Sequence, residues 1–271
     1  MKQIDLFSYL EEQKPIGKVV LDKKLLLSML QTIDSLSGNF NYYVNKGVWY
    51  AISTLEHMAV YYRSKVLSLK GSKHSYFTID AHKIKELVNA AGKDNIELNV
   101  YEGAVSVFSK RVARAFLTHK DETANVVNIN NILKSNNYTK VKVDVDKLIS
   151  AVKWVKGTGK VKHERASFVI RDGNLMIYDF DVGKDGKFDE AKAIIGNVVE
   201  SAEVSSVYNT NYLDVVSKFL SRNKDSIKSL YLYLCTDYPL IVRGKIGLGG
   251  KMKDVSNDMK FDFIIAPILT E

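Results

Sequence analysis

The stretch KVVLDKKLLLSMLQTIDSLS, residues 18–37, decides the fold. Its apolar residues before Asp22 predict a short strand. After Asp22 the apolar residues recur at helical spacing, which predicts an amphipathic helix. The positions expected on the buried face of this helix are Leu26, Met29, Leu30, Ile33 and Leu36. The stretch therefore predicts a strand that leads directly into a helix.

The same pattern occurs three more times along the chain. It is present in YFTIDAHKIKELVNAAG (76–92), KVKVDVDKLISAVKWVKG (140–157) and VYNTNYLDVVSKFLSRN (207–223). We predict four strand-to-helix units that start about sixty residues apart, a period that indicates a fold made of equivalent units. Their predicted first residues are Asp22, Asp80, Asp146 and Thr210. In the third helix, the predicted buried stripe consists of Leu148, Ile149, Val152 and Val155.

The segments between the helices read as antiparallel strands joined by tight turns. Alternating apolar residues flank turns at 45–47, at 102–103 and at the Asp172–Gly173 pair, and Asp-Gly suits a type I′ hairpin. Each unit is then one helix packed on antiparallel strands, and two units make a domain. The predicted fold class is α+β with two such domains.

The predicted domain limits follow from this repeat. We assign residues 17–117 to a first domain and 141–271 to a second, joined by a connector at 118–140. The connector is polar and rich in asparagine, with one apolar island at 129–133. Residues 1–16 form a separate N-terminal arm.

Composition favours a soluble globular protein inside the cell. The 271 residues are 46% hydrophobic and 26% charged, and a single cysteine excludes a disulfide framework. No apolar run reaches membrane-spanning length, and acidic residues lie where a signal peptide would have a basic start. We therefore expect a cytoplasmic protein with no membrane partner. The net charge of +8 suggests a polyanionic partner, although excess lysine is also a common solubility device.

Two short motifs extend the interpretation. The segment LCTDYPLIV (234–242) contains an Asp-x-Pro-Leu sequence, and the chain ends in FDFIIAPILTE (261–271) with an Ala-Pro pair after an apolar strand. Together with the repeat and the connector, they resemble the proliferating cell nuclear antigen (PCNA) type of DNA sliding clamp, in an archaeal or archaeal-virus-like form. The resemblance extends from about residue 17 to residue 271. It implies a two-domain DNA clamp fold in a cytoplasmic protein of an archaeal cell or virus-infected archaeal host.

The resemblance also implies a homotrimeric ring whose hole is lined by helices. Helices that face a duplex need basic side chains, because the duplex carries about one charge per 1.7 Å of axis. The expected sequence-independent contacts with double-stranded DNA come from Lys23, Lys24, Lys93, Lys153, Lys156, Lys218 and Arg222. Glu86 and Asn89 make the second helix poor in positive charge, which leaves open that part of the excess charge lies outside the hole.

Clamps of this type bind the docking peptides of a DNA polymerase, a clamp loader and other proteins in a pocket under the connector. By resemblance, the pocket residues here are Thr54, Leu55, His57, Ile129, Ile132, Leu133, Pro239, Ala266, Pro267 and Ile268. An apolar pocket of this kind accepts a short helical turn and the glutamine before it.

The N-terminal arm contains QIDLFSYL (3–10), which matches the pattern of such a docking peptide. The matching residues are Gln3, Leu6, Tyr9 and Leu10. The segment could occupy this clamp's own pocket, its neighbour's pocket or the pocket of a second clamp. The alternative is an amphipathic turn that packs on its own domain.

Other chemistries find little support in the sequence. GKIGLGG (244–250) lacks the lysine-serine pair of a phosphate-binding loop, and the five histidines do not have metal-ligand spacing. We expect no enzyme activity, no catalytic residues, no cofactor and no metal. The contrasting hypothesis is a metal-dependent nuclease that uses Asp179, Asp181 and Asp185. A third is a clamp paralogue that binds another clamp through its arm or joins a mixed ring.

Overall fold

The computed structural model describes most of the chain. Described are residues 15–45, 48–65, 77–92, 95–101, 103–108, 113–117, 119–120, 129–135, 137–157, 164–179, 192–198, 203–247 and 258–269. The chain divides into two compact units. Unit 1 comprises Met1–Leu55, Val60–Asn125 and Gly247–Lys260, and unit 2 comprises Glu56–Ala59, Val126–Ile246 and Phe261–Glu271.

Unit 1 places two helices on antiparallel strands. Its elements are β1 (Gly17–Leu21), α1 (Lys23–Asp34), β2 (Asn39–Asn45), β3 (Val48–Leu55), β4 (Met58–Lys65), β5 (Phe77–Asp80), α2 (Ala81–Ala90), β6 (Ile96–Tyr101), β7 (Ala104–Phe108), β8 (Ala113–Leu117) and β9 (His119–Lys120). The strands lie in the orders β1-β6-β7-β8 and β4-β3-β2-β5-β9. The first residues of the predicted connector thus pair with β5 as β9.

Unit 2 repeats this plan. Its elements are α3 (Ile129–Ser135), β10 (Thr139–Lys142), α4 (Val145–Gly157), β11 (Arg165–Arg171), β12 (Asn174–Asp179), β13 (Lys192–Asn197), β14 (Val204–Asn209), α5 (Thr210–Asn223), a 3-10 turn (Lys224–Ser226), β15 (Ile227–Leu234), β16 (Leu240–Gly247) and β17 (Asp258–Ile265). The strand orders are β13-β12-β11-β14 and β10-β15-β16-β17. The predicted α+β class with a helix pair on antiparallel sheets in each half is confirmed, and the short helix α3 of the predicted connector is a third helix of unit 2.

The first two helices begin where the repeat predicts. The Asp22 carboxylate accepts a hydrogen bond from the backbone N–H of Leu25 at 3.1 Å, and the Asp80 carboxylate accepts one from His82 at 2.8 Å. Each satisfies a backbone donor that the helix leaves unpaired.

The predicted start of the fourth helix is confirmed, since α5 begins at Thr210, and that of the third helix is wrong by one residue. Helix α4 begins at Val145, and the side chain that accepts from the Lys147 N–H, at 2.9 Å, belongs to Asp144 and not to Asp146. At α5 the cap is Asn209, which accepts from the Asn211 N–H at 2.8 Å. A capping side chain must precede the first helical residue, so Asp144 and Asn209 cap these two helices.

The buried helix faces agree with the predicted spacing. Leu26, Met29, Leu30 and Ile33 are buried on α1, and Leu148, Ile149, Val152 and Val155 are buried on α4. Leu36 is only half-buried because it lies beyond the last residue of α1. Helices α1 and α2 pack against each other in unit 1, as α4 and α5 do in unit 2.

A cluster of three phenylalanines lies beneath α5 in unit 2. Phe219 meets Phe261 and Phe263 edge to face, with ring centroids 5.1 and 5.3 Å away, and all three side chains are fully buried. Gly244 on β16 makes room for this cluster, since a Cβ atom there would lie 2.2 Å from Phe261 Cζ. The side chains of β15 and β16 that share the side of Gly244 therefore face α5, and those of alternate residues face away from it.

The turn between β11 and β12 has the predicted geometry. Asp172 and Gly173 both have positive φ, 51° and 72°, as a type I′ turn requires. The hairpin fixes the register of β11 and β12, which pair from Ala166 with Asp179 to Arg171 with Asn174.

Candidate functional site

The exposed face of the helix pair in unit 2 carries positive charge. Lys153 on α4 and Arg222 on α5 are exposed, and neither has an ion pair or hydrogen bond within the described residues. Lys218 lies one helical turn before Arg222 on the same exposed stripe. Lys147 is a further exposed basic residue of α4. The sequence analysis did not single it out, although its exposure is visible from the helical phase of the buried stripe.

Two of the predicted DNA-binding lysines share one carboxylate. Lys156 at the end of α4 bonds to Asp214 on α5, and Lys218 contacts the same carboxylate at 2.9 Å. Burial alone would raise the pKa of Asp214, but hydrogen bonds from the two lysines hold this pKa below its usual value. Lys156 therefore ties α4 to α5, whereas the side chain of Lys218 is 61% exposed and points toward solvent.

The helix pair of unit 1 offers fewer unengaged cations. Lys23 donates to the backbone carbonyls of Asn89, at 3.1 Å, and Ala91 at the C-terminal end of α2, where the helix dipole favours positive charge. Lys85 pairs with Asp34 at 2.5 Å. Lys24 is exposed, and Lys93 lies outside the described residues.

Two further features of α2 affect the charge of the exposed helix face of unit 1. Lys83 on α2 is exposed and was missed by the sequence analysis, although its helical phase indicates exposure. The Nε2 atom of His82 and the Oε1 atom of Glu86 lie 3.5 Å apart on the same helix. Because Glu86 offsets neighbouring positive charge, the helix face of unit 1 is less basic than that of unit 2.

The C-terminal tail in unit 2 is held by two backbone hydrogen bonds. The Ala266 N–H donates to the His57 carbonyl, and the Ile268 N–H donates to the Val207 carbonyl, both at 2.8 Å. His57 itself packs edge to face with Tyr212, with ring centroids 6.4 Å apart. The structure thus joins His57 to the tail residues, as the predicted pocket requires, and leaves the Pro267 and Ile268 side chains half-buried.

Two tyrosine hydroxyls hold the turn that precedes Pro239. The Tyr208 hydroxyl donates to the Tyr238 carbonyl at 2.9 Å, and the Tyr138 hydroxyl donates to the Pro239 carbonyl at 3.1 Å. Burial raises the pKa of Tyr138 to about 12, with Cys235 and Tyr238 adding to the shift. Because Val207 and Tyr208 are consecutive, the tail and the Pro239 turn are anchored side by side on β14.

The connector helix α3 reaches the sheet of unit 2. Ile129 is buried, and Ile132 and Leu133 are half-buried. The Arg243 guanidinium donates to Asn130 Oδ1 at 3.5 Å and to the Asp262 carboxylate at 2.5 Å. Asp262 is fully buried, so Arg243 connects a buried charge of β17 to the connector helix.

The remaining predicted site residues lie in unit 1 or outside the described residues. Thr54 and Leu55 are exposed at the end of β3 and belong to unit 1. Gln3, Leu6, Tyr9 and Leu10 of the docking-peptide-like motif lie outside the described residues, as do Asp181 and Asp185.

Two other features are absent from the described ranges. Those residues contain no group of three or more His, Cys, Asp or Glu side chains placed to hold a metal ion. The helices that the structure describes include none that is both long and apolar enough to cross a bilayer.

The fold has clear counterparts among solved structures. A. fulgidus PCNA, solved with the C-terminal region of FEN-1 bound, is 14% identical with a TM-score of 0.65, and the match covers 94% of this chain and 99% of that chain. The PCNA2–PCNA3 complex from Sulfolobus tokodaii also gives 14% identity and a TM-score of 0.65, over 93% of this chain and 98% of that chain.

A clamp from a further organism gives a similar result. PCNA from Entamoeba histolytica is 10% identical with a TM-score of 0.62, over 94% of this chain and all of that chain. No protein-family profile and no curated protein sequence matches the chain. The chain therefore has the PCNA-type clamp fold over nearly its whole length, at an identity that shows the fold alone.

Proposed function

We propose that this chain is a DNA sliding clamp that encircles duplex DNA and tethers a polymerase, a clamp loader and other replication or repair proteins. The observation that carries the proposal is the match of 93–94% of this chain to clamps of the PCNA type, with 98–100% of those chains covered. The protein acts as a scaffold and catalyses no reaction. The proposal places it in the cytoplasm of an archaeal cell or of a virus-infected archaeal host.

The helix face of unit 2 supports the DNA contact. Lys153, Lys218 and Arg222 are exposed on the two packed helices, away from the sheet. Such cations bind phosphates without reading bases, and the binding weakens as the salt concentration rises, because the release of condensed counterions that drives it becomes less favourable. A homotrimeric ring would present this face three times to the duplex. The strands β8 and β13, which end their sheets within the described residues, are the edges that would pair between subunits.

Replacing both Lys153 and Lys218 by glutamate should strongly reduce retention on circular duplex DNA. The change reverses two charges that face the phosphates. Each lost phosphate contact makes the negative slope of log affinity against log salt less steep by about 0.9. Retention of the loaded protein on nicked circles, measured across a salt series, checks this expectation.

The matched control is Lys140→Glu with Lys142→Glu, which makes the same charge change on exposed residues of β10. This control should remain on the circles like the wild type. Equal retention of the Lys153 and Lys218 variant would remove both residues from the DNA contact.

The pocket residues of unit 2 support partner docking. The tail and the Pro239 turn are fixed on neighbouring residues of β14, so the rim that a docking peptide would contact is formed in advance. Leu269 and Tyr238 expose apolar surface beside these anchors, at 71% and 44% exposure. A helical turn with an apolar face fits such a rim.

Deleting residues 1–12 tests the proposed role of the arm. If Gln3, Leu6, Tyr9 and Leu10 occupy this clamp's own pocket, the truncated chain should bind external docking peptides more tightly. If the arm acts outward, truncation should abolish association with a second clamp. Burial of a leucine and a tyrosine contributes about 1.5–3 kcal/mol each before ordering costs, which suits a removable contact.

Titration calorimetry with a peptide of residues 1–12 measures the same contact directly. Tyr9→Ala with Leu10→Ala should abolish its heat of binding. A truncation that changes neither affinity nor association, and only lowers the melting temperature, would show that the arm is a structural element.

A second candidate function is an interaction protein that joins a mixed ring. The weak charge on the helix face of unit 1 favours it, because Lys23 and Lys85 are engaged within the protein. Light scattering separates the two candidates. A stable species of three chains supports the homotrimer, and a monomer that associates only with another clamp supports the mixed ring.

A further inference from the structure

The sheet of unit 2 has a face rich in basic and aromatic side chains on the side away from α5. We call it the basic sheet face; its residues are Lys140 and Lys142 of β10, Tyr231 and Tyr233 of β15, and Arg243 and Lys245 of β16. The register places Lys142, Tyr231 and Arg243 in one row across three strands, with Lys140 beside Tyr233 in the next row. Directly opposed residues of antiparallel strands point to the same side of a sheet.

The basic sheet face is positively charged and lacks nearby carboxylates of its own. The described residues of β10, β15 and β16 contain no aspartate or glutamate. Lys140, Lys142 and Lys245 are exposed, and Arg243 binds the buried Asp262 of the neighbouring strand β17. Neighbouring strands lie about 4.8 Å apart, so these cations form a dense cluster.

The two tyrosines give the face a second property. Both rings are half-buried on the sheet, and cations lie over them: the Lys140 ammonium is 4.3 Å from the centroid of Tyr231, and the Arg243 guanidinium is 5.7 Å from that of Tyr233. Cation–π contacts at exposed sites are weak. A phosphate could therefore draw Lys140 away from Tyr231 and leave the ring open to a base.

We propose that the basic sheet face binds single-stranded DNA, with phosphates on Lys140, Lys142 and Lys245 and bases stacked on Tyr231 and Tyr233. Aromatic rings between cations form the usual platform for single strands, because every base has a π-face and no sequence is read. An acidic peptide would use the lysines but gain little from the rings. This site is separate from the helix face proposed for duplex DNA, and it accounts for part of the net positive charge of the chain.

Fluorescence anisotropy with the full chain and a labelled oligothymidine of about 12 nucleotides tests the proposal, since single-strand sites span about 4–16 nucleotides. Lys140→Glu with Lys142→Glu and Lys245→Glu should raise Kd by more than about tenfold and lower the salt slope by about 2, at about 0.7 for each lost contact. Tyr231→Leu with Tyr233→Leu should raise Kd about tenfold without changing the salt slope.

The matched control is Lys65→Glu with Arg171→Glu, which reverses charge at exposed residues outside both proposed DNA sites and should bind the oligothymidine like the wild type. If the duplex-retention experiment fails and the oligothymidine experiment succeeds, only the proposed clamp function is contradicted. The two proposals can therefore fail separately. The proposal is overturned if the helix-face variant Lys153→Glu with Lys218→Glu loses as much oligothymidine binding as the triple lysine variant, or if the triple lysine variant binds the oligothymidine normally. It is also overturned if polyglutamate of equal length competes as well as DNA and the tyrosine substitutions have no effect.

Discussion

Arg243→Met is expected to lower the free energy of unfolding of unit 2 by about 3–5 kcal/mol, because removing one member of a buried ion pair leaves the other charge buried without a partner. Arg243 donates to Asp262 at 2.5 Å, and the Asp262 side chain has no exposed surface. Methionine retains the length and apolar volume of the arginine stem but supplies no cation. Urea unfolding of the full chain, followed through Trp154 in α4 with Trp49 replaced by phenylalanine, reports on unit 2.

The control for this prediction is Lys245→Met on the same strand and the same face, where the side chain is exposed and the expected change is within about 0.5 kcal/mol. Adding Asp262→Leu to Arg243→Met should recover most of the loss, since a buried pair replaced by apolar residues is often neutral. If the single and double variants unfold alike, the pair does not carry the stability assigned to it.

Phe219→Ala is expected to destabilise unit 2 by about 3–5 kcal/mol, the usual cost of removing a large aromatic side chain from a core. Phe219 has no exposed surface and contacts both Phe261 and Phe263. The loss should appear as a lower urea midpoint in the Trp154 signal. Phe219→Leu keeps most of the volume and should cost clearly less.

The same variant checks the coupling between the core and the docking rim. Phe261 and Phe263 lie in β17, which leads directly into the tail residue Ala266. At temperatures where Phe219→Ala remains folded, docking peptides should still bind, because the tail is anchored by His57 and Val207. Loss of peptide binding in a folded variant would show that the rim depends on the core cluster.

Local sequence was sufficient for the helices but not for every helix start. Apolar spacing predicts the buried faces of α1 and α4, because burial of one stripe is what holds a helix to a sheet. In VDVD, residues 143–146, two aspartates precede the apolar stripe, and spacing alone does not separate them. The backbone places Asp144 before the first helical residue, so Asp144 is the cap.

The partners of the basic residues could not be predicted from the sequence. Lys23 donates to carbonyls 66 and 68 residues away, and Lys156 bonds to a carboxylate 58 residues away. Such contacts depend on how α1 meets α2 and how α4 meets α5, which periodicity does not specify. The buried Asp262 was missed for a related reason, since a charge between two core phenylalanines is stable only when a cation from the next strand reaches it.

Asp214 has a consequence for how a protein of this kind could move on DNA. It accepts hydrogen bonds from Lys156 and Lys218, and the Lys218 side chain is the more exposed of the two, at 61% against 32%. A phosphate that draws Lys218 away leaves Asp214 paired with Lys156, so the carboxylate is never left uncompensated. Exchange of one anion for the next at Lys218 then has a small barrier. In a ring on a duplex, such a lysine eases translocation along the DNA instead of strengthening the binding to it.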